Sequence, residues 1–211
     1  MDAPSPIPTE IPTAERLDAA ASVRRLVDAL VGHVGDPDAL AEVARTAASL
    51  ADRLEEGPRR VRDTGRMLRY DAPVPEGGEL SCWPECSVSG VAHGASSGIS
   101  GRRDGDEAVL TATLGPAKEG LPGVVHGGAV ASLFDESMGW ALWMDTVPSV
   151  TAWLRVDYRA PVPSGVEVEI RATARERDGR KIMMEAKATV DGALVAEAEG
   201  LFIVPRAFGE S

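Results

Sequence analysis

The chain has 211 residues, with 22 lysines and arginines against 33 aspartates and glutamates, a formal charge of −11. That length suits one ordinary domain plus an extension, with a core that needs no metal or disulfide. The acidic balance argues against nucleic acid or an anionic membrane as a partner for the surface as a whole. Only two cysteines occur, Cys82 and Cys86, and no apolar run is long enough to span a bilayer. Residues 1–13 lack basic groups and an apolar stretch of the secretory kind, so a cytoplasmic protein is expected.

In chain order, residues 1–12 are Pro-rich and are expected to form a disordered tail. Thr13-Ala14-Glu15-Arg16 reads as a capped helix start, followed by an apolar stripe from Leu17 to Val31 at helical spacing. Residues 32–37 break it. A second amphipathic helix is predicted from about Asp38 to Glu55, with Leu40, Val43, Ala47, Leu50 and Leu54 on one face, ended by Gly57-Pro58. The pair reads as a helical hairpin, residues 13–68, appended to a main domain at 69–211 and packed on it or on a partner subunit.

Within the main domain, Ser87 to Ser100 reads as a loose, Gly-rich extended segment, and Glu107 to Leu114 as a strand. Pro122-Gly123-Val124-Val125-His126-Gly127-Gly128 then meets an almost wholly apolar stretch, Ala129 to Met144, which carries Asp135. This helix is apolar nearly all round and therefore needs something wrapped around it. The segments C-terminal to it can supply that. Val150–Tyr158 is rich in β-branched and aromatic residues, and Val166–Ala172 alternates strictly. Asp178-Gly179 and Asp191-Gly192 signal hairpins flanking Lys181–Val190, and Ala193–Val204 completes a meander. One buried helix with antiparallel strands around it is an α+β layout.

Glycines at a helix start leave backbone N–H groups open to a ligand oxygen, and the helix dipole favours negative charge there. Gly127 and Gly128 are therefore candidates to hold a carbonyl oxygen, and Asp135, a carboxylate on a greasy helix, is a candidate base or nucleophile. Its apolar setting is expected to raise its basicity. Glu136 is the rival acid and points to another face. No metal-ligand spacing links His33, His93 and His126, and no Gly-x-Ser-x-Gly elbow surrounds Ser132 or Ser137.

His126-Gly127-Gly128, Asp135 nine residues after the histidine, and Thr151-Ala152-Trp153-Leu154 before Tyr158-Arg159-Ala160-Pro161 together resemble the hotdog-fold acyl-CoA thioesterases. The likeness is strongest to the branch of the phenylacetate-type enzymes and the mitochondrial thioesterase superfamily members, over roughly residues 69–205. It implies a sheet wrapped around one long helix and homodimers at least, with a dimer of dimers open. It also implies hydrolysis of acyl-CoA thioesters without a cofactor, water being the only cosubstrate. Asp135 falls on the family's acid position, so Glu136 is expected to be structural. Thr151 matches the threonine that positions the water or the acid, and His126 falls in the site with its role open.

If both Gly127 and Asp135 serve one substrate, distance matters. They are eight residues apart, or ~12 Å along one helix. Two subunits related by a twofold axis can bring the helix start of one to the Asp135 of the other, which gives two equivalent composite sites. Further candidates for substrate contact are Gly128 and Val125, with Arg155, Arg159, Arg180 and Lys181 for the CoA phosphates, although a solvated strand face explains each of these four as well. Trp140, Trp143 and Trp153 are expected in the core rather than in an acyl channel. Many relatives carry an asparagine six residues before the histidine, where this chain has Gly120, which puts a two-donor oxyanion hole in doubt. Cys82 and Cys86 do not form a C-x-x-C pair and are expected to be idle thiols. Two other readings remain open: a hotdog acyl-CoA hydratase or dehydratase, and a non-catalytic acyl-thioester-binding or scaffold protein that uses the helical hairpin as its arm.

Overall fold

The computed structural model describes residues 12–59, 72–80, 83–97 and 99–206. The expected tail up to residue 11, Cys82 and the boundary at 68–69 lie outside them. In chain order the elements are α1 (Ala14–Gly32), α2 (Pro37–Glu55), β1 (Glu79–Leu80), β2 (Ser100–Asp104), β3 (Glu107–Thr113), a 3-10 turn at Pro116–Lys118, β4 (Glu119–Leu121), β5 (Val124–Val125), α3 (Gly127–Trp143), β6 (Val150–Tyr158), β7 (Glu167–Asp178), β8 (Lys181–Val190) and β9 (Ala193–Ile203).

Strand alternation builds a seven-stranded antiparallel sheet in the order β1-β2-β3-β7-β8-β9-β6. One face points at α3. Leu110 lies opposite Ile170, Ile170 opposite Ala188, and Ile182 opposite Phe202, so the inward residues form continuous rows across the strands. Alanines at 108, 112, 172, 186, 188, 196 and 198 are buried on the sheet and let the helix settle close to it. From the helix side Val130, Leu133, Phe134 and Met138 complete the core, each contributing about 1.5–3 kcal/mol on burial. Trp140 packs over Gly101, where an added Cβ would lie 2.1 Å from the indole. This is a close approach that only glycine permits.

The turns obey their residues, with one shift. Asp191 and Gly192 both have positive φ (50° and 78°), as the tightest two-residue hairpin requires. In the β7–β8 hairpin Asp178 pairs with Lys181, so the turn is Gly179-Arg180 and Gly179 takes the positive φ (56°). The segment 87–100 is expected to be extended, but residues 83–97 run through successive turns and β2 begins only at Ser100.

The two N-terminal helices differ in how they attach. Thr13 caps α1, its side chain accepting from the Arg16 N–H. Arg24 donates to the Val91 and His93 carbonyls at 3.0 and 2.8 Å, Asp28 accepts from the Ala117 N–H at 3.1 Å, and Arg16 pairs with Glu85 at 3.3 Å. These contacts fasten α1 to the turns at 83–97 and to the 3-10 turn. Helix α2 is capped by Asp36, which accepts from the Asp38 and Ala39 N–H groups. It buries no residue, and Leu40, Leu50 and Leu54 stay exposed, Leu54 at 81%. Helix α1 thus docks on the main domain, whereas α2 buries no residue within the protomer. No helix among the described residues is long and apolar enough to cross a membrane.

Candidate active site

The start of α3 is fixed by side chains that its own sequence and a distant strand supply. His126 is the N-cap, with extended backbone (φ −62°, ψ 133°), and its Nδ1 accepts from the Gly128 N–H at 2.8 Å. A ring nitrogen that accepts carries no proton, so the neutral imidazole holds its proton on Nε2. The His126 N–H donates to the Lys118 carbonyl at 2.8 Å, and the Val125 N–H to the Val162 carbonyl at 2.9 Å, which ties the approach to the helix at two points. Ser132 Oγ donates to the Gly128 carbonyl at 2.9 Å. Tyr158 Oη donates to the Gly127 carbonyl at 2.7 Å.

Val125, His126, Gly127, Tyr158 and Val162 border a cleft of about 580 Å³. Val124, Val125, Val130, Pro161 and Val162 give it apolar walls, and His126, Gly127, Tyr158 and Arg159 supply its polar atoms. The mixture of apolar wall and few convergent polar groups is the usual make-up of a small-molecule site. Gly120 also borders the cleft, and the His126 ring occupies the space a side chain there would need: a Cβ at 120 would lie 2.9 Å from His126 Cδ2. The asparagine expected from relatives is thus incompatible with His126 where it stands.

Two turns further along α3, Asp135 Oδ1 accepts from Thr151 Oγ1 at 2.6 Å, a short bond to a carboxylate. Strand β6 runs antiparallel to α3 and touches it at both ends, Thr151 at Asp135 and Tyr158 at Gly127. Asp135 is exposed in the protomer, against the expectation of an apolar surrounding. Its apolar neighbours Leu133, Phe134 and Met138 face the sheet, whereas Asp135 looks out past β6. Asp135 and Thr151 do not line the cleft at the helix start.

Glu136 accepts from Ser89 Oγ and, at 3.5 Å, from Cys86 Sγ, which anchors the turns at 83–97 to the helix. Of the basic candidates, Arg159 borders the cleft but pairs with Glu197, while Arg155 lies on the outer sheet face beside Asp157 at 3.2 Å. Arg180 donates to the Val204 carbonyl at 3.0 Å. Lys181 is opposite Ile203, which is itself opposite Val150, so Arg180 and Lys181 sit at the Thr151 end of the sheet. Trp140 is buried and Trp143 is packed against the core, as expected, but Trp153 is 42% exposed on β6. Tyr158, which is 51% exposed, enters the sequence reading as a strand residue and as part of the resemblance motif, with no role of its own. Its partner lies 31 residues away, and no local pattern announces such a bond. Burial of part of its ring pushes the Tyr158 hydroxyl above the usual phenol range.

A sheet wrapped around a capped, glycine-led helix with an acid on its outer side is the hotdog architecture. The sequence pattern described as the thioesterase superfamily matches residues 122–196, which takes in α3, β6, β7, β8 and the start of β9. Acyl-coenzyme A thioesterase THEM4 of Xenopus laevis is 36% identical over 91 residues, 42% of this chain and 41% of that one. The Bos taurus protein of the same name is 33% identical over 91 residues, 42% and 37% of the two chains. This chain thus matches about two fifths of the length of these relatives. A solved thioesterase superfamily protein is 27% identical, with a TM-score of 0.75 over 94% of this chain and 97% of that one. That overlap extends past the sheet into the N-terminal helices.

Proposed function

We propose that this protein is an acyl-CoA thioesterase whose active site is assembled from two copies of the chain. Water and the thioester give a carboxylate and a free thiol. The Gly127 N–H holds the carbonyl oxygen as it gains negative charge, an effect worth about 3–4 kcal/mol for one such donor. Asp135 of the other copy takes a proton from the attacking water, with Thr151 holding the carboxylate in place. The tetrahedral intermediate then expels the thiolate, which recovers the proton. Attack by Asp135 itself, followed by hydrolysis of the anhydride, is the variant of the same scheme. His126 offers its Nε2–H to the substrate, and Val125 and Gly128 flank the acyl group. The observation that carries the reading is the bond from Thr151 to Asp135, made on the exposed side of α3 beside the outermost strand of the sheet.

The names of the THEM4 relatives support the substrate class. Support for two copies comes from distance and exposure. Asp135 and the Gly127 amide sit apart on one helix, and β6 is the outermost strand on its side of the sheet, with Val150, Trp153 and Tyr158 exposed along it. An open apolar edge strand is a template for pairing with another chain. The test is thiol release from a panel of saturated and aromatic acyl-CoAs, with Asp135→Asn alongside. Turnover by the parent and loss of at least a hundredfold in the variant is expected. A variant as fast as the parent would end the assignment.

A further inference from the structure

The Gly127 amide can stabilise an oxyanion only if it is aimed where the oxyanion forms, within a fraction of an ångström and some tens of degrees. Two successive glycines are the worst backbone for that purpose, because they have the widest choice of φ and ψ. Something outside the helix has to fix them. The peptide unit between Gly127 and Gly128 is in fact held at both of its polar ends. Its N–H donates to His126 Nδ1 at 2.8 Å, and its carbonyl accepts from Tyr158 Oη at 2.7 Å. The Tyr158 ring also lies against Gly127, where a Cβ would come within 3.3 Å of both Cζ and Oη.

We propose that Tyr158 is a positioning residue that sets the direction of the oxyanion-binding Gly127 amide by clamping the next peptide from the strand side. The proposal rests on the thioesterase reading for its catalytic consequence. The Tyr158 proton is committed to a carbonyl, so the phenol is not poised as an acid for the leaving sulfur. Partial burial keeps the hydroxyl protonated across the working pH range, which preserves the clamp. Because Tyr158 belongs to the outermost strand, pairing of that strand with a second copy would steady the clamp from outside.

The experiment is Tyr158→Phe in the full-length protein, which keeps the ring packing and removes only the hydroxyl. Two readouts are taken: steady-state thiol release from the best acyl-CoA of the panel, and hydrogen exchange of the amides of residues 127–131. The expected result is a roughly tenfold fall in kcat with KM within twofold of the parent, and several-fold faster exchange at the helix start. An unchanged kcat overturns the proposal. So does a raised KM with kcat intact, which would make Tyr158 a substrate contact. If the parent releases no thiol from any acyl-CoA, the thioesterase reading fails, and exchange alone decides the clamp. Faster exchange in the variant upholds it, and equal exchange ends it.

Discussion

Replacing Thr151 by Val removes the hydrogen bond proposed to orient Asp135. The two side chains have nearly the same shape, and both suit an edge strand, so packing and strand propensity stay constant. What disappears is a 2.6 Å hydrogen bond to Asp135 Oδ1. A bond to a charged group is worth about 1.5–3 kcal/mol, and each 1.36 kcal/mol of transition-state stabilisation is tenfold in rate. Thr151 and Asp135 are exposed in the protomer, so the lower half of that range applies. The expected result is a ten- to thirtyfold drop in kcat with little change in KM, because the carboxylate survives and loses only its fixed direction. Thiol release gives the rates, and a thermal melt checks that Tm stays within about 2 °C. Turnover within twofold of the parent at unchanged Tm would show that the hydroxyl does not orient the acid, and the mechanism would lose its positioning step.

Two further outcomes concern stability. Gly101→Ala drives a methyl group to within 2.1 Å of the buried Trp140 ring, so a loss of about 1–3 kcal/mol from overpacking is expected in urea denaturation. A midpoint equal to the parent's would mean that the indole moves aside freely. The Arg171 and Arg102 guanidiniums hydrogen-bond Asp104 and hold its carboxyl below the usual range. A lowered folded value means that the stabilisation is complete above about pH 4 and is lost as the pH falls through the lowered value. Asp104→Asn should therefore lower the urea midpoint slightly at pH 6, with the difference shrinking as the pH falls below the ordinary aspartate range. A difference independent of pH would contradict the ion-pair account.

The parts of the fold with a strong period are legible from sequence: α3, with its nearly unbroken apolar circumference, and the strands β6 to β9. Strand β2 is not, because Ser100-Gly101-Arg102-Arg103-Asp104 has no buried residue to give an apolar period; it is held by its ladder to β3 and by the Ser100–Thr111 hydroxyl contact at 3.0 Å. The amphipathic stripe of α2 does mark a helix face, yet a stripe says nothing about what covers it. The exposure of Asp135 escapes the sequence for a related reason. Its neighbours in the chain are apolar, but they turn towards the sheet, and what lies over the acid is decided by β6 and whatever pairs with β6. The Thr151–Asp135 pairing is reached through family likeness rather than from periodicity. The contacts of Tyr158 with Gly127, and of His126 with the space beside Gly120, join residues whose meeting depends on how a strand and a hairpin cross the helix start.

The outward face of the sheet has a consequence for how a ligand arrives. A groove of about 570 Å³ there is bordered by Glu107, Asp157, Glu169, Glu185, Glu197 and Glu199, against Arg155, Arg171 and Lys187. Most of these cations are already neutralised, Arg171 by Asp104, Glu107 and Glu169 together. The polyphosphate tail of the proposed substrate would be turned away from this side, and the chain's overall charge of −11 would oppose its approach. For the acyl-CoA proposed as substrate, productive collisions would then be confined to the mouth beside the helix start, and dissolved salt, by shortening the reach of the repulsion, would hasten them.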